Sequence, residues 1–257
     1  MDRSSGYLVD IDGVLVVSWE PIEGAVNALQ RLRENQVPLR FATNTTSRTR
    51  RSVAAALTDA GMPVDADEIL TAPTATAAYL RREHPGARCL LINDGDLSED
   101  LDGIDVVTDG PADVVVLGGA GPVFSYEVLN AAFRLLTDGA PLVAMHRNLA
   151  WMTSAGLSLD TGGFVAGLEE AAGVEAQVVG KPARAFFDAG VASLGLPHSE
   201  VAMIGDDLVN DVLGAQAAGL TGILVRTGKF DQRVVDEVDT APDHIVDSFA
   251  DIAALSG

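Results

Sequence analysis

Short apolar stretches alternate with longer amphipathic segments along the whole chain, and this pattern predicts alternating strands and helices. A helix is predicted from Pro21, because Ile22, Val26, Leu29 and Leu32 recur at helical spacing. Further helices are predicted near 48–60, 125–137, 163–172, 183–194 and 208–218. Strands are predicted in YLVDI (7–11), PLRFATN (38–44), RCLLIN (88–93), ADVVVLG (112–118), APLVAMH (140–146), QVVGKP (177–182), VAMIGDD (201–207) and TGILVRTG (221–228). This order is typical of an α/β protein with a mainly parallel sheet.

The middle of the chain carries enough strands and helices for a small α/β unit of its own. We therefore predict a core formed by residues 1–76 and 177–257, with an α/β domain inserted at 77–176. The connection at 145–163, MHRNLAWMTSAGLSLDTGG, is polar and rich in glycine, so we predict a long loop there. Its residues His146, Arg147, Asn148 and Trp151 could contact a ligand, although each residue type is more often structural.

Polar side chains stand where several of the predicted core strands end. They are Asp10 and Asp12, Thr43 and Asn44, Lys181, and Asp206 with Asp207. In open parallel sheets, ligands bind beyond the carboxyl ends of the strands, where loops and helix N-termini converge. We expect these residues to form one site if their strands are neighbours.

Composition narrows the classes of partner. The net charge of −20 would repel a phosphate backbone or an acidic lipid surface, so neither a nucleic acid nor a membrane is an expected partner. The lone Cys89 excludes an internal disulfide, and no apolar run is long enough to span a bilayer. With no signal-peptide pattern at the N-terminus, we expect a cytoplasmic protein.

Carboxylates, a lysine and a hydroxyl form a sensible set around a divalent cation and a phosphoryl group. Mg²⁺ prefers oxygen ligands and often binds through a few carboxylates together with a phosphate oxygen. Asp10 could then act as nucleophile and ligand, and Asp206 as a further ligand. Lys181, Thr43 and Asn44 would contact the phosphoryl oxygens. The chemistry predicted is phosphoryl transfer to Asp10.

Four motifs, DIDGVL, FATNTT, VVGKP and IGDDLVND, resemble the ordered motifs of the haloacid dehalogenase (HAD) superfamily. Their spacing resembles the subclass IIA phosphatases, which have a Rossmann-like core and an α/β cap inserted between the second and third motifs. The resemblance implies that Asp10 is the nucleophile and a Mg²⁺ ligand. It also implies that Asp12 binds the ion through its backbone carbonyl and acts as general acid and base.

The resemblance further implies that Asp206 binds the metal directly, with Asp207 and Asp211 as outer-shell or alternative ligands. Asp211 could equally face solvent on the helix after Asp206. The implied substrate is a small phosphorylated compound, through a phosphoric monoester, phosphoramidate or pyrophosphate bond, and a homodimer through the cap is expected.

Other functions remain open at this point. A noncatalytic sensor of phosphorylated ligands could keep the same fold, and a phosphomutase would move the phosphoryl group instead of releasing phosphate. A receiver domain also combines acidic residues with a threonine and a lysine, but the insertion makes that interpretation remote.

Overall fold

The computed structural model describes residues 4–153 and 156–252, except for the side chains of 151–153. The chain divides into two compact units. The first unit comprises residues 1–43, 50–70 and 181–257, and the second comprises residues 44–49 and 71–180. The predicted domain boundaries, between residues 76 and 77 and between residues 176 and 177, stay predictions. The first of these boundaries falls within the helix Ala72–Glu83.

The helices and strands have the following bounds within the described part of the chain. The α-helices are α1 (Ala25–Glu34), α2 (Arg50–Asp59), α3 (Ala72–Glu83), α4 (Tyr126–Thr137), α5 (Thr161–Ala172), α6 (Arg184–Leu194), α7 (Gly214–Ala218) and α8 (Gln232–Glu237). The strands are β1 (Gly6–Asp10), β2 (Val16–Val17), β3 (Glu20–Pro21), β4 (Leu39–Thr43), β5 (Ile69–Thr71), β6 (Arg88–Ile92), β7 (Asp105–Val107), β8 (Val114–Leu117), β9 (Leu142–Ala144), β10 (Ala150–Thr153), β11 (Gly156–Leu159), β12 (Gln177–Val178), β13 (Val201–Gly205), β14 (Thr221–Val225) and β15 (His244–Val246).

The sheet of the first unit has the strand order β15-β14-β13-β1-β4-β5. Strand β1 pairs in parallel with β13 on one side and with β4 on the other. All five residues of β1 are buried, as expected of a strand covered on both faces. The carboxyl ends of β1, β4 and β13 therefore lie side by side, and the prediction of an α/β fold with a mainly parallel sheet is confirmed.

Helix α1 buries Ala25, Ala28, Leu29 and Leu32, which lie on one face at helical spacing. The prediction that this helix begins at Pro21 is wrong. Pro21 ends a two-stranded ribbon with β2, and the helix begins only after Gly24, whose left-handed backbone (φ 80°) turns the chain.

The second unit has its own parallel sheet, in the order β12-β9-β8-β6-β7. The predicted loop at 145–163 is partly wrong, because β10 and β11 form an antiparallel hairpin inside it. Leu157 and Leu159 alternate with Gly156 and Ser158 along β11, with the leucines exposed. This alternation is a strand pattern, but it spans only four residues in a stretch rich in glycine and polar residues, and that composition favoured a loop.

The helix predicted at 208–218 is also not uniform. Residues Leu208–Leu213 form a π-helix, and only Gly214–Ala218 are α-helical. Short π-helical segments are rare and are frequent at functional sites. In the part of the chain that is described, no helix is long and apolar enough to cross a membrane.

Candidate active site

The carboxyl edge of the first sheet carries predicted polar groups from β1, β4 and β13. The prediction that Lys181 ends a neighbouring core strand is wrong, because β12 pairs with β9 in the sheet of the second unit. Asp10 is the last residue of β1 and lies in register with Ala42 of β4, next to the buried Thr43. Asp206 directly follows the buried strand β13. These residues come together because their parallel strands end at one edge.

Three carboxylates form a compact buried cluster there. Asp10, Asp206 and Asp211 each offer one oxygen, and these oxygens all lie within 4.8 Å of one another. The exposed fractions of the three residues are 7%, 2% and 1%. Because buried like charges repel strongly, the cluster needs positive charge nearby.

Lys181 supplies part of that charge. Its Nζ lies 2.7 Å from Asp10 Oδ1 and 2.7 Å from Asp211 Oδ1, and it donates to the carbonyl oxygen of Ala42 at 3.2 Å. Burial alone would lower the pKa of Lys181, but Asp10 and Asp211 raise it above the usual value. Lys181 is therefore a charged amine at neutral pH.

One lysine does not neutralise the three carboxylates. Burial, opposed by Lys181, raises the pKa of Asp10 to about 6. Burial and the neighbouring Asp211 raise the pKa of Asp206 to about 7, and burial and Asp10 raise that of Asp211 to about 7. Asp206 Oδ1 is buried without a hydrogen-bond partner among the described residues. A pocket of this charge with an unpartnered carboxylate oxygen fits a divalent cation.

The π-helix determines which acidic residue joins the cluster. Asp211 lies within it, and its Oδ2 accepts a hydrogen bond from the backbone N–H of Asp207. The close approach requires Gly205, since a Cβ there would lie 2.2 Å from Asp211 Cβ. The Asp207 side chain instead accepts from Asn210 and lies 3.4 Å from Lys229 Nζ. Of the two residues left open by the sequence, the geometry brings Asp211 into the cluster.

The strand predicted at 221–228 is too long, because β14 ends at Val225 and a turn that was not predicted follows at 227–229. The backbone N–H of Lys229 donates to Asp206 Oδ2 at 2.7 Å, and the Thr227 hydroxyl donates to the carbonyl oxygen of Gly13. One signal was available: Lys181 and Lys229 are the only lysines of the sequence, and both lie beside this cluster.

Asp12 and Asn44 differ from the buried cluster, the first in its exposure and the second in the unit to which it belongs. Asp12 is exposed, its backbone forms an isolated bridge to Val16, and its charge contributes to raising the pKa of Asp10. Asn44 belongs to the second unit, where a Cβ on Gly180 would lie 2.6 Å from its Oδ1. The roles of the predicted site residues stay predictions.

The residues considered in the second unit have structural contacts. His146 is buried, with Nδ1 4.0 Å from Asp160 Oδ2, and that Nδ1 also accepts from the Asn148 N–H. Arg147 forms a two-pronged ion pair with Glu169. The side chain of Trp151 lies outside the described residues.

Comparison with known proteins identifies the family. A family model described as haloacid dehalogenase-like hydrolase matches residues 7–107, and one described as HAD-hydrolase-like matches residues 178–252. The chain is 40% identical over 242 residues, covering 94% of this chain and 92% of the relative, to haloacid dehalogenase-like hydrolase domain-containing protein 2 of Homo sapiens. The chain belongs to the haloacid dehalogenase-like hydrolase family.

Two further members of the HAD family carry more specific names. Phospholysine phosphohistidine inorganic pyrophosphate phosphatase of Danio rerio is 38% identical over 252 residues, covering 96% of this chain and 90% of that protein. A solved p-nitrophenyl phosphatase from Archaeoglobus fulgidus superposes with a TM-score of 0.90 at 30% identity, covering 98% of this chain and 99% of the other. The HAD resemblance of the motifs is thus confirmed along nearly the whole chain.

Proposed function

We propose that this protein is a Mg²⁺-dependent phosphatase that forms an aspartyl-phosphate on Asp10. The observation that carries the proposal is the buried cluster of Asp10, Asp206 and Asp211, whose members meet at a strand edge with the amine of Lys181. The named phosphatases among its relatives support the reaction class.

The metal ligands in this proposal are Asp10 and Asp206, together with the backbone carbonyl of Asp12. When bound, Mg²⁺ would neutralise charge on the phosphoryl oxygens and polarise the phosphorus centre. Lys181 holds Asp10 Oδ1 at 2.7 Å, so the amine orients the nucleophile and stays close to the transferring group. Asp211 keeps Lys181 in place by its own ion pair.

The reaction has two steps. A carboxylate oxygen of Asp10 attacks phosphorus, the bond from phosphorus to the leaving group breaks, and Asp12 donates a proton to that leaving group. Asp12 then takes a proton from water, whose oxygen attacks phosphorus and releases phosphate from Asp10. The exposure of Asp12 gives it access to both leaving group and water. Thr43 and Asn44 would donate hydrogen bonds to the phosphoryl oxygens.

The proposed substrates are small phosphorylated compounds. Hydrolysis of p-nitrophenyl phosphate by the purified full chain, with Mg²⁺ and with a chelator, tests the reaction class. We expect turnover only with Mg²⁺, loss of turnover in Asp10→Asn, and wild-type turnover in Asp59→Asn, which changes an exposed aspartate of α2. Robust turnover by Asp10→Asn would contradict the proposal, and binding of phosphorylated compounds without any turnover would favour the sensor.

A homodimer through the second unit stays a prediction. Leu149, Leu157 and Leu159 are large apolar side chains that lie exposed in and beside the β10–β11 hairpin. Light scattering coupled to size-exclusion chromatography, on wild type and on Leu157→Ser, would show whether these leucines support self-association.

A further inference from the structure

The two oxygens of Asp206 have different surroundings. Oδ2 accepts the Lys229 N–H at 2.7 Å, whereas Oδ1 is buried and has no hydrogen-bond partner among the described residues. One oxygen is thus committed to the protein, and the other remains for an ion.

The turn at 227–229, which we call the clamp turn, closes tightly against Asp206 Oδ2. A Cβ on Gly228 or on Gly13 would lie 1.9 Å from this oxygen, and both glycines have positive φ angles, 60° and 84°. The Thr227 hydroxyl ties the clamp turn to the Gly13 carbonyl. Asp206 therefore has little room to rotate and present both oxygens to one side.

The other carboxylates of the cluster are restricted in the same way. Asp10 Oδ1 is engaged by Lys181, which leaves Oδ2 for an ion. Asp211 has Oδ1 paired with Lys181 and Oδ2 accepting from the Asp207 N–H, so both of its oxygens are engaged. The side chains of the cluster thus offer an ion single oxygens from Asp10 and Asp206.

We propose that the clamp turn sets the ion selectivity of this site, by holding Asp206 to coordination through one oxygen. Mg²⁺ takes six ligands in a near-octahedral array and is served by single carboxylate oxygens. Ca²⁺ takes six to eight ligands and commonly binds both oxygens of a carboxylate. The clamp turn therefore disfavours Ca²⁺. This inference rests on the divalent cation of the proposed function.

Binding of Mg²⁺ and of Ca²⁺ to the full chain, measured by calorimetry without substrate, tests the proposal. Thr227→Val removes the hydroxyl that ties the clamp turn to Gly13 and leaves every carboxylate in place. Thr58→Val changes an exposed threonine of α2 and is the matched control, while Thr227→Ser keeps the hydroxyl.

We expect the wild type, Thr58→Val and Thr227→Ser to prefer Mg²⁺ equally. In Thr227→Val, Mg²⁺ affinity should fall by about tenfold, as is usual when support for a metal ligand is lost. Ca²⁺ affinity should hold or rise, because a looser Asp206 can offer both oxygens. An equal loss for both ions, or an unchanged ratio, would overturn the proposal.

A second measurement needs no variant. In wild-type protein labelled with ¹³C-aspartate, the infrared difference spectrum on adding Mg²⁺ should show carboxylates bound through one oxygen, and bidentate bands would contradict the clamp. Neither measurement depends on phosphate hydrolysis. A wild type that hydrolyses p-nitrophenyl phosphate with Mg²⁺ but shows no effect of Thr227→Val would overturn the clamp alone.

Discussion

Replacing Gly228 by alanine should damage the site far more than it damages the fold. The added Cβ would stand 1.9 Å from Asp206 Oδ2, and ordinary contact begins near 3.4 Å, so the carboxylate would have to move by about 1.5 Å. A misplacement of roughly 1 Å can lower turnover about 100-fold, equivalent to about 2.7 kcal/mol of transition-state stabilisation. We expect a loss of at least that size in kcat/KM for p-nitrophenyl phosphate.

Gly195→Ala is the matched control for backbone strain. Gly195 follows α6 with φ 69°, close to the 60° of Gly228, but a Cβ there would meet nothing within 4 Å. Both variants should lose roughly 1–2 kcal/mol of stability from a left-handed alanine. Gly228→Ala should lose more than Gly195→Ala, because its Cβ would also lie 2.6 Å from the Cα of Gly13. Urea unfolding measures the loss of stability in each variant. Steady-state kinetics with a Mg²⁺ titration measures the difference in kcat/KM between the two variants. Equal kinetics in the two variants would refute the placement of Asp206 at the reaction centre.

Three further predictions concern charge and backbone strain. The pKa values of Asp206 and Asp211 in the folded protein are about 7, against a usual 3.8, so the metal-free protein should lose thermal stability as the pH rises from 5 to 8. The gain in thermal stability on adding Mg²⁺ should grow over the same interval, and a gain that does not change with pH would contradict this. Lys181→Met leaves the buried charges of Asp10 and Asp211 unpaired, so it should lower the free energy of unfolding by about 3–5 kcal/mol at pH 8 and by less at pH 5. Urea unfolding measures both losses, and equal losses at the two pH values would argue against these ion pairs. Ser18→Gly should raise the free energy of unfolding by about 1 kcal/mol, because the exposed Ser18 has a φ of 52° in the turn between β2 and β3. An unchanged free energy of unfolding in urea would show that the turn is unstrained.

The shared-edge rule does not explain the position of Lys181, because the strand before it, β12, pairs with β9 in the sheet of the second unit. The meeting of Asp10, Thr43 and Asp206 could be predicted, because the carboxyl ends of neighbouring parallel strands share an edge. Each of these residues follows or ends an apolar run, and the order of the runs along the chain was sufficient. The fold class depends on the alternation of short apolar stretches with longer amphipathic segments along the chain. This explains why the predicted and observed fold classes agree.

The resemblance named Asp211 as an outer-shell or alternative ligand, but helical spacing could not decide whether it faces the site or solvent, because that spacing assumes 3.6 residues per turn. The π-helix at Leu208–Leu213 changes the angle per residue and turns Asp211 toward Lys181. The contact of Lys229 with Asp206 uses a backbone N–H, which every residue except proline carries. Apart from the scarcity of lysine in the sequence, no side-chain pattern could therefore indicate the clamp turn.

The most direct test of the account is to trap the phosphorylated enzyme. A phosphate ester labelled in its phosphoryl group is mixed with the Mg²⁺-loaded protein, the reaction is stopped with acid within milliseconds, and peptides are examined by mass spectrometry. The account predicts a phosphoryl group on the carboxylate of Asp10, formed as fast as the leaving group appears and absent in Asp10→Asn. Rapid release of the leaving group with no label on Asp10, or a label on another residue, would contradict it.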